Sequence, residues 1–236
     1  MRRTLGDNWD DIAAWWNEEA GLDPAYGLDV HPLLRSLVPT TGGVGLDLGC
    51  GEGQGMRIFE GMVIGVDLSV ELALIASSSG PVVVADLPDL SYLRGQTVDV
   101  AYSVYLVDLI EDHAGFFRHT ARVVKEGGTL VVVINHPVYT APGSGPLMDA
   151  DGEMMWRWGD YFRQGSSTEP AGNREIRYHH RSLGDLVTAA ANEGWVLTTM
   201  SERGLSEATV AQIPGYVGQE SVPRLLGIAW RRDSRR

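Results

Sequence analysis

Asp47, Gly49, Gly51 and Gly53, set two residues apart, are the first groups in the chain whose types and spacing suggest chemistry. An acid followed by three glycines suits a loop whose backbone approaches a ligand closely, because glycine adopts dihedrals that a Cβ forbids. The amides that open the next element then face that ligand. A second acid, Asp67, stands 20 residues after Asp47, where a nucleoside's ribose diol is commonly held in α/β folds. A third acid, Asp86, closes another apolar run. Groups able to move a proton come later, at Asp108, His113, His136 and His180.

Periodicity predicts the elements that must position these groups. Val44 to Leu48, Met62 to Asp67, Pro81 to Ala85, Val98 to Ser103 and Thr129 to Ile134 read as short buried strands. Helices are expected over Asp7 to Ala20 (capped by Asp7 or Asn8), Pro32 to Val38, Gln54 to Glu60, Val70 to Ser77, Ala114 to Val124 and Leu183 to Glu193. Gly21 to Asp29 reads as a loop. Strands alternating with helices predict a doubly wound parallel sheet. Four prolines and a set of aromatics break the alternation between Asn135 and Arg181, which predicts a long irregular insertion that binds substrate. Trp195 to Met200 and Leu225 to Arg231 supply two last strands. The expected organisation is one domain over 1–236, with a helical cap (1–40), a core (41–134), a lid (135–181) and a final helix and hairpin (182–236).

Composition narrows the classes of partner. The chain has 236 residues, 44% of them hydrophobic, a net charge of −12 and a pI near 4.8. So acidic a surface repels phosphate backbones and argues against DNA or RNA as substrate. No apolar run approaches the ~20 residues of a membrane span, and no signal-peptide core is evident. A lone cysteine, Cys50, excludes an intrachain disulfide and points to the cytoplasm. The six histidines show no His-x-x-x-His spacing with a supporting acid, so no metal is expected. A monomer or homodimer is expected.

The dinucleotide fingerprint Gly-x-Gly-x-x-Gly fails here, because Gln54 stands where its third glycine belongs. Asp47-x-Gly49-x-Gly51-x-Gly53 instead closely resembles motif I of the class I S-adenosylmethionine-dependent methyltransferases. Ile64-Gly-Val-Asp67-Leu-Ser resembles that family's second-strand acid, Ala85-Asp86-Leu87 its third-strand adenine contact, and Asp99 to Ser103 its fourth strand. Arg122 to Leu130 resembles its approach to the fifth. The resemblance runs from about Trp9 to Arg231. It implies a Rossmann-like sheet of seven mostly parallel strands, with an antiparallel last hairpin and a lid inserted after the fifth strand. It also implies S-adenosylmethionine as cofactor, held by Asp47, Gly49, Cys50, Gly51, Gly53, Asp67, Leu68, Asp86, Leu87 and Ser103. The cofactor carries a sulfonium and an ammonium but no phosphate, so a glycine loop with flanking acids suits it.

His136-Pro-Val-Tyr139-Thr-Ala and His179-His180-Arg181-Ser resemble a bacterial branch of small-molecule methyltransferases, many from natural-product pathways. Two departures stand out: Asp108 occupies a position where that branch often has His, and the helix after the glycine loop is short. Methyl transfer from a sulfonium is an in-line displacement that mainly requires positioning in a dry pocket. A base assists where the acceptor is a hydroxyl or a protonated amine. His136, His180 and Asp108 are the candidates. His136 has the alternative of a structural histidine bonded to the loop around Pro137, and one of His179 and His180 is expected to face solvent. Trp16, Tyr105, Tyr139, Trp156 and Tyr161 are the candidates for acceptor contact, with Trp15 and Trp16 unable to share one face. The expected reaction is methylation of a small molecule, with oxygen ahead of nitrogen. A carbon methyltransferase and a non-catalytic cofactor binder are the rivals.

Overall fold

The computed structural model describes residues 9–20, 22–39, 42–172 and 174–233. The expected cap at Asp7 or Asn8 lies outside them. The principal sheet contains β1 (Val44–Leu48), β2 (Met62–Asp67), β3 (Val82–Val84), β4 (Val98–Val104), β5 (Val124–Asn135), β10 (Trp195–Arg203) and β11 (Leu225–Arg232). Their order across it is β10-β11-β5-β4-β1-β2-β3. β1, β2, β3, β4 and β5 pair in parallel, whereas β11 runs antiparallel to both β5 and β10. The fold is the Rossmann-like one the sequence predicts.

β5 shows why the sheet forms. Its continuous run places Leu130, Val132 and Ile134 in one core and Val131 and Val133 in the other. A strand buried on both faces reads as unbroken β-branched sequence rather than alternation. The first core holds α4 (His113–Val123) and α6 (Leu183–Asn192), with Phe116, Phe117, Leu186 and Trp230. The second holds α2 (His31–Leu37), with Leu33 and Leu34 against Tyr102 and Phe59. Fully burying one such side chain contributes about 1.5–3 kcal/mol. Ser69 caps α3 (Val70–Ala76) and Asp112 caps α4, each accepting an amide of the first turn.

Three local expectations are corrected. The helix expected over Gln54 to Glu60 shrinks to a 3-10 turn, Met56–Ile58, because Gly49, Gly51 and Gly53 all take positive φ and hold the preceding loop out of helical geometry. Within 21–29, a π-helical turn spans Tyr26–Val30, and another spans Trp16–Ala20 after the short α1 (Ala13–Trp15). The insertion is regular: after α5 (Pro137–Thr140) come two hairpins, β6 (Gly145–Met148) with β7 (Met154–Arg157), and β8 (Gly165–Ala171) with β9 (Arg174–His180). Pro146 and Pro170 lie inside strands there, which two-stranded ribbons tolerate because one edge needs no donor. Between β10 and β11 lies α7 (Glu207–Gln212). Among the described residues no helix is long and apolar enough to cross a membrane.

Candidate functional site

β1 and β2 end side by side and deliver Asp47 and Asp67 to the C-terminal edge of the sheet, where ligands bind in open α/β folds. The glycine loop is tied there by its own backbone. Gly49 and Cys50 donate to the Val66 carbonyl at 2.8 and 3.0 Å. The Asp67 carboxylate accepts from the Gly51 amide at 2.8 Å and from the Ser69 amide at 2.9 Å. Each oxygen keeps a lone pair for a further donor. Burial pushes Asp67 upward, opposed by the hydrogen bonds from the Ser69, Gly51 and Leu68 amides. Asp47 is pushed up by burial and then by the Asp67 charge, and its Oδ2 has no partner. A Cβ on Gly49 would come within 2.9 Å of Leu106, and one on Gly55 within 2.5 Å of Asp47.

A cavity of about 610 Å³ opens from this edge, well within the ~300–1,000 Å³ of small-molecule sites. One wall holds Gly49, Gly51, Asp67, Leu68, Asp86 and Leu87. The other holds Thr168, Glu175, Ile176, Arg177 and His179 of the β8–β9 hairpin. Trp9 and Trp16 close it from the N-terminal segment. Trp16 lies against Gly51 and donates through Nε1 to Glu52 at 2.9 Å. A smaller void of about 40 Å³ continues past Gly49 and Gly51 to Asp47, Cys50 and Tyr26.

The segment after β4 forms the cavity's far corner. Tyr105 holds a left-handed φ of 53°, unusual for a residue with a side chain, and lines the cavity with Leu106 and Leu109. Between them Asp108 turns inward, 7% exposed, with Oδ2 unpartnered. Burial pushes its carboxyl up to about 7, and the Arg181 charge opposes that. Arg181 is itself buried, donating to the carbonyls of Val107 (3.1 Å), Glu111 (2.8 Å) and Ile110. It thereby fastens the Asp108 loop to the exit of the β8–β9 hairpin.

Comparison with known proteins fits this geometry. The family described as "Methyltransferase domain" matches residues 46–132. A S-adenosylmethionine-dependent methyltransferase from Mesorhizobium loti is 30% identical, with 85% of this chain and 96% of that one covered at a TM-score of 0.76. The chain belongs to the class I S-adenosylmethionine-dependent methyltransferases. A candidate methyltransferase of the same cofactor class from Listeria monocytogenes shares the fold at 19% identity, covering 90% of this chain and 99% of that one (TM-score 0.76). The [4+2]-cyclase SpnF shares it at 17% identity, covering 97% and 96% (TM-score 0.65). No curated protein matches the chain. The methyltransferase therefore uses S-adenosylmethionine, and its residues fit that cofactor. The loop is open where Gly49 and Gly51 face the cavity, the Asp67 oxygens can take two more donors, and the orphaned Asp47 oxygen suits an ammonium.

The structure sorts the residues singled out in the sequence. Asp67, Leu68, Asp86, Leu87, Gly49 and Gly51 line the main cavity of the methyltransferase, as do Trp16 and Tyr105. Asp47 and Cys50 line the smaller void. Gly53 is structural, set against Ala76 of α3, and Ser103 is fully buried behind Val104. Trp15 packs with Ile12 and Ile176 and meets the Trp16 ring edge to face at 6.5 Å.

The two candidate histidines are each engaged by other groups. His136 caps α5, its Nδ1 accepting the Val138 amide at 3.1 Å while Nε2 meets Glu202 at 2.8 Å. His180 is held between Thr140 (3.3 Å) and the Tyr161 carbonyl (2.8 Å). Both are 3% exposed and outside the cavity lining. His179, its neighbour, lines the cavity, because successive strand residues face opposite sides. Tyr139 and Trp156 stack on each other at 5.2 Å under Arg224, and Tyr161 bonds the Leu183 amide, so these three support the hairpins rather than line the cavity. Sequence reasoning missed the wall formed by Thr168, Glu175 and Arg177, whose polar strand carried no signal.

Proposed function

We propose that this methyltransferase acts on an oxygen or nitrogen of a small-molecule metabolite or natural product in the cytoplasm. The observation that carries this reading is Asp108, a buried carboxylate whose Oδ2 has no hydrogen-bond partner, set between the cavity-lining Leu106 and Leu109 after β4. A heteroatom acceptor has a proton to give up, and a carboxyl shifted to about 7 suits a base at neutral pH. Carbon acceptors with a stabilised carbanion need no such group.

The remaining roles follow from position. Asp67 takes the ribose hydroxyls, Asp86 and Leu87 flank the adenine, and the glycine loop with Asp47 receives the amino-acid end. S-adenosylmethionine supplies an electrophilic methyl group on sulfur. The chain's part would be to hold the nucleophile in line with that methyl group and to exclude water. Trp9, Trp16 and the β8–β9 hairpin provide that exclusion.

Incubation with methyl-labelled cofactor and a panel of alcohols, phenols and amines tests the proposal. Label is expected on a heteroatom of at least one acceptor. Tight cofactor binding with no labelled product across the panel overturns it in favour of a non-catalytic binder.

A further inference from the structure

We infer that His31 holds the carboxylate of the cofactor's amino-acid end, and so makes the site selective for S-adenosylmethionine that still carries that group. This rests on the placement of the amino-acid end given above and specifies a residue that grips it. The smaller void shares Gly49, Gly51, Trp16 and Val104 with the main cavity and is bounded by two kinds of surface. Asp47 and its glycine loop supply one. Trp16, Tyr26 and His31 supply the other, packed edge to face in succession at 6.2 and 6.0 Å. His31 and Asp47 thus line the same space from separate elements, α2 and β1. At about 40 Å³ the void has room for about three water-sized groups, enough for the two charged groups of an amino acid but not for an adenosine.

The two ends of the void differ in charge. At the Asp47 end a carboxylate oxygen is buried without a partner, and the charges of Asp67 and Glu52 act on it. At the other end, burial and then the Arg35 and Arg57 charges push the His31 imidazole below its ordinary value, with Glu52 and a hydrogen bond to the Gln54 side chain opposing. An α-amino acid presents the matching pair, an ammonium and a carboxylate on one carbon. The ammonium supplies the donor that the orphaned Asp47 oxygen lacks. The carboxylate falls to the imidazole, where it relieves the repulsion between His31 and the two arginines. The Gln54 bond occupies a single ring nitrogen and leaves the second for the ligand. Trp16 and Gln54 also bring N–H groups to the void, but both already donate to Glu52, Trp16 through Nε1 at 2.9 Å.

The fold presets the imidazole. Leu33 and Leu34 of α2 are fully buried in the core that contains Val131, Val133 and Tyr102. Leu33 and Leu37 pack so closely on β11 that a Cβ on Gly227 would lie within 2.9 Å of both. Just before α2, the buried Asp29 accepts the Thr209 hydroxyl at 2.5 Å and the Ser206 amide at 3.2 Å, which ties the segment to α7. A donor held this firmly loses little further freedom when the ligand arrives.

Calorimetry with three probes reads this out without turnover: S-adenosylhomocysteine, its decarboxylated analogue, which keeps the amine, and methylthioadenosine, which lacks both groups. Wild type is expected to bind S-adenosylhomocysteine about tenfold more tightly than the decarboxylated analogue, the contribution of one hydrogen bond to a charged group. His31→Leu should shrink that preference to about twofold or less. It should leave the affinity for methylthioadenosine unchanged, which also reports an intact fold. Tyr26→Phe should keep the preference. A preference absent from wild type, one that survives His31→Leu, or one lost in Tyr26→Phe instead overturns the inference. Equal weakening of all three probes in His31→Leu also overturns it, because a merely structural role acts on the whole site. Asp47→Asn should weaken the two amine-bearing probes and spare methylthioadenosine. If it does not, the placement of the amino-acid end falls, and the role of His31 with it. If it does while His31→Leu leaves the preference intact, that placement stands and the inference alone falls.

Discussion

Asp67 and Glu175 line one cavity from opposite walls, and they are held by different means. Asp67 ends a parallel strand and is fixed by two backbone amides, in a loop pinned to Val66. Glu175 is exposed on β9, which among the described residues pairs with β8 alone in a two-stranded ribbon. The first wall is therefore set by backbone geometry and the sheet. The second depends on a few attachments: Arg181 to the 107–111 loop, the Arg174–Asp11 pair, and the small cluster of Ile12, Ala171 and Ile176. A fixed donor site facing a lightly attached acceptor wall lets one fold serve many acceptors, and only the second wall needs to change.

Substitutions can break or sharpen this contrast. Removing the buried Arg181 cation in Arg181→Met strips three loop carbonyls of their donor, and it is expected to lower unfolding free energy in urea titration by about 3–5 kcal/mol. On the opposite wall, Asp67→Ala should weaken S-adenosylhomocysteine binding in calorimetry by about 100-fold, the loss of two hydrogen bonds to a charged group. Unchanged affinity would remove Asp67 from the ribose.

A gentler test concerns pH. The folded carboxyl of Asp108 lies above its ordinary 3.8, at about 7, so the folded protein holds a proton that the unfolded chain releases. The stability this contributes is full below about 3.8 and is lost as pH rises through about 7. Urea titrations of wild type and Asp108→Asn should diverge across that window by up to ~1.4 kcal/mol per pH unit. Asp47 and Asp67, raised in both proteins, cancel in the difference. Smallest of all, Arg174→Ala removes a half-exposed pair with Asp11 and should cost less than about 1 kcal/mol in the same assay.

The cofactor wall was legible in the sequence because backbone requirements leave residue-type signatures. Three glycines at positive φ and acids at strand ends can be read directly from letters and spacing. The acceptor wall left little trace. β8 reads Gly-Ser-Ser-Thr-Glu-Pro-Ala, a strand by pairing and not by propensity. His179 and His180 differ only in which face of β9 they occupy, and register with β8 decides that. The same holds for Asp108, whose burial comes from Arg181 and the hairpin, about 70 residues further along. Local sequence carries no record of such distant neighbours.

Trp16 covers the glycine loop and reaches Glu52, while Ile12, four residues earlier, is packed against the hairpin wall. The two covers of the cavity thus share one short stretch of chain. A change to that stretch would therefore disturb both covers of the cavity together.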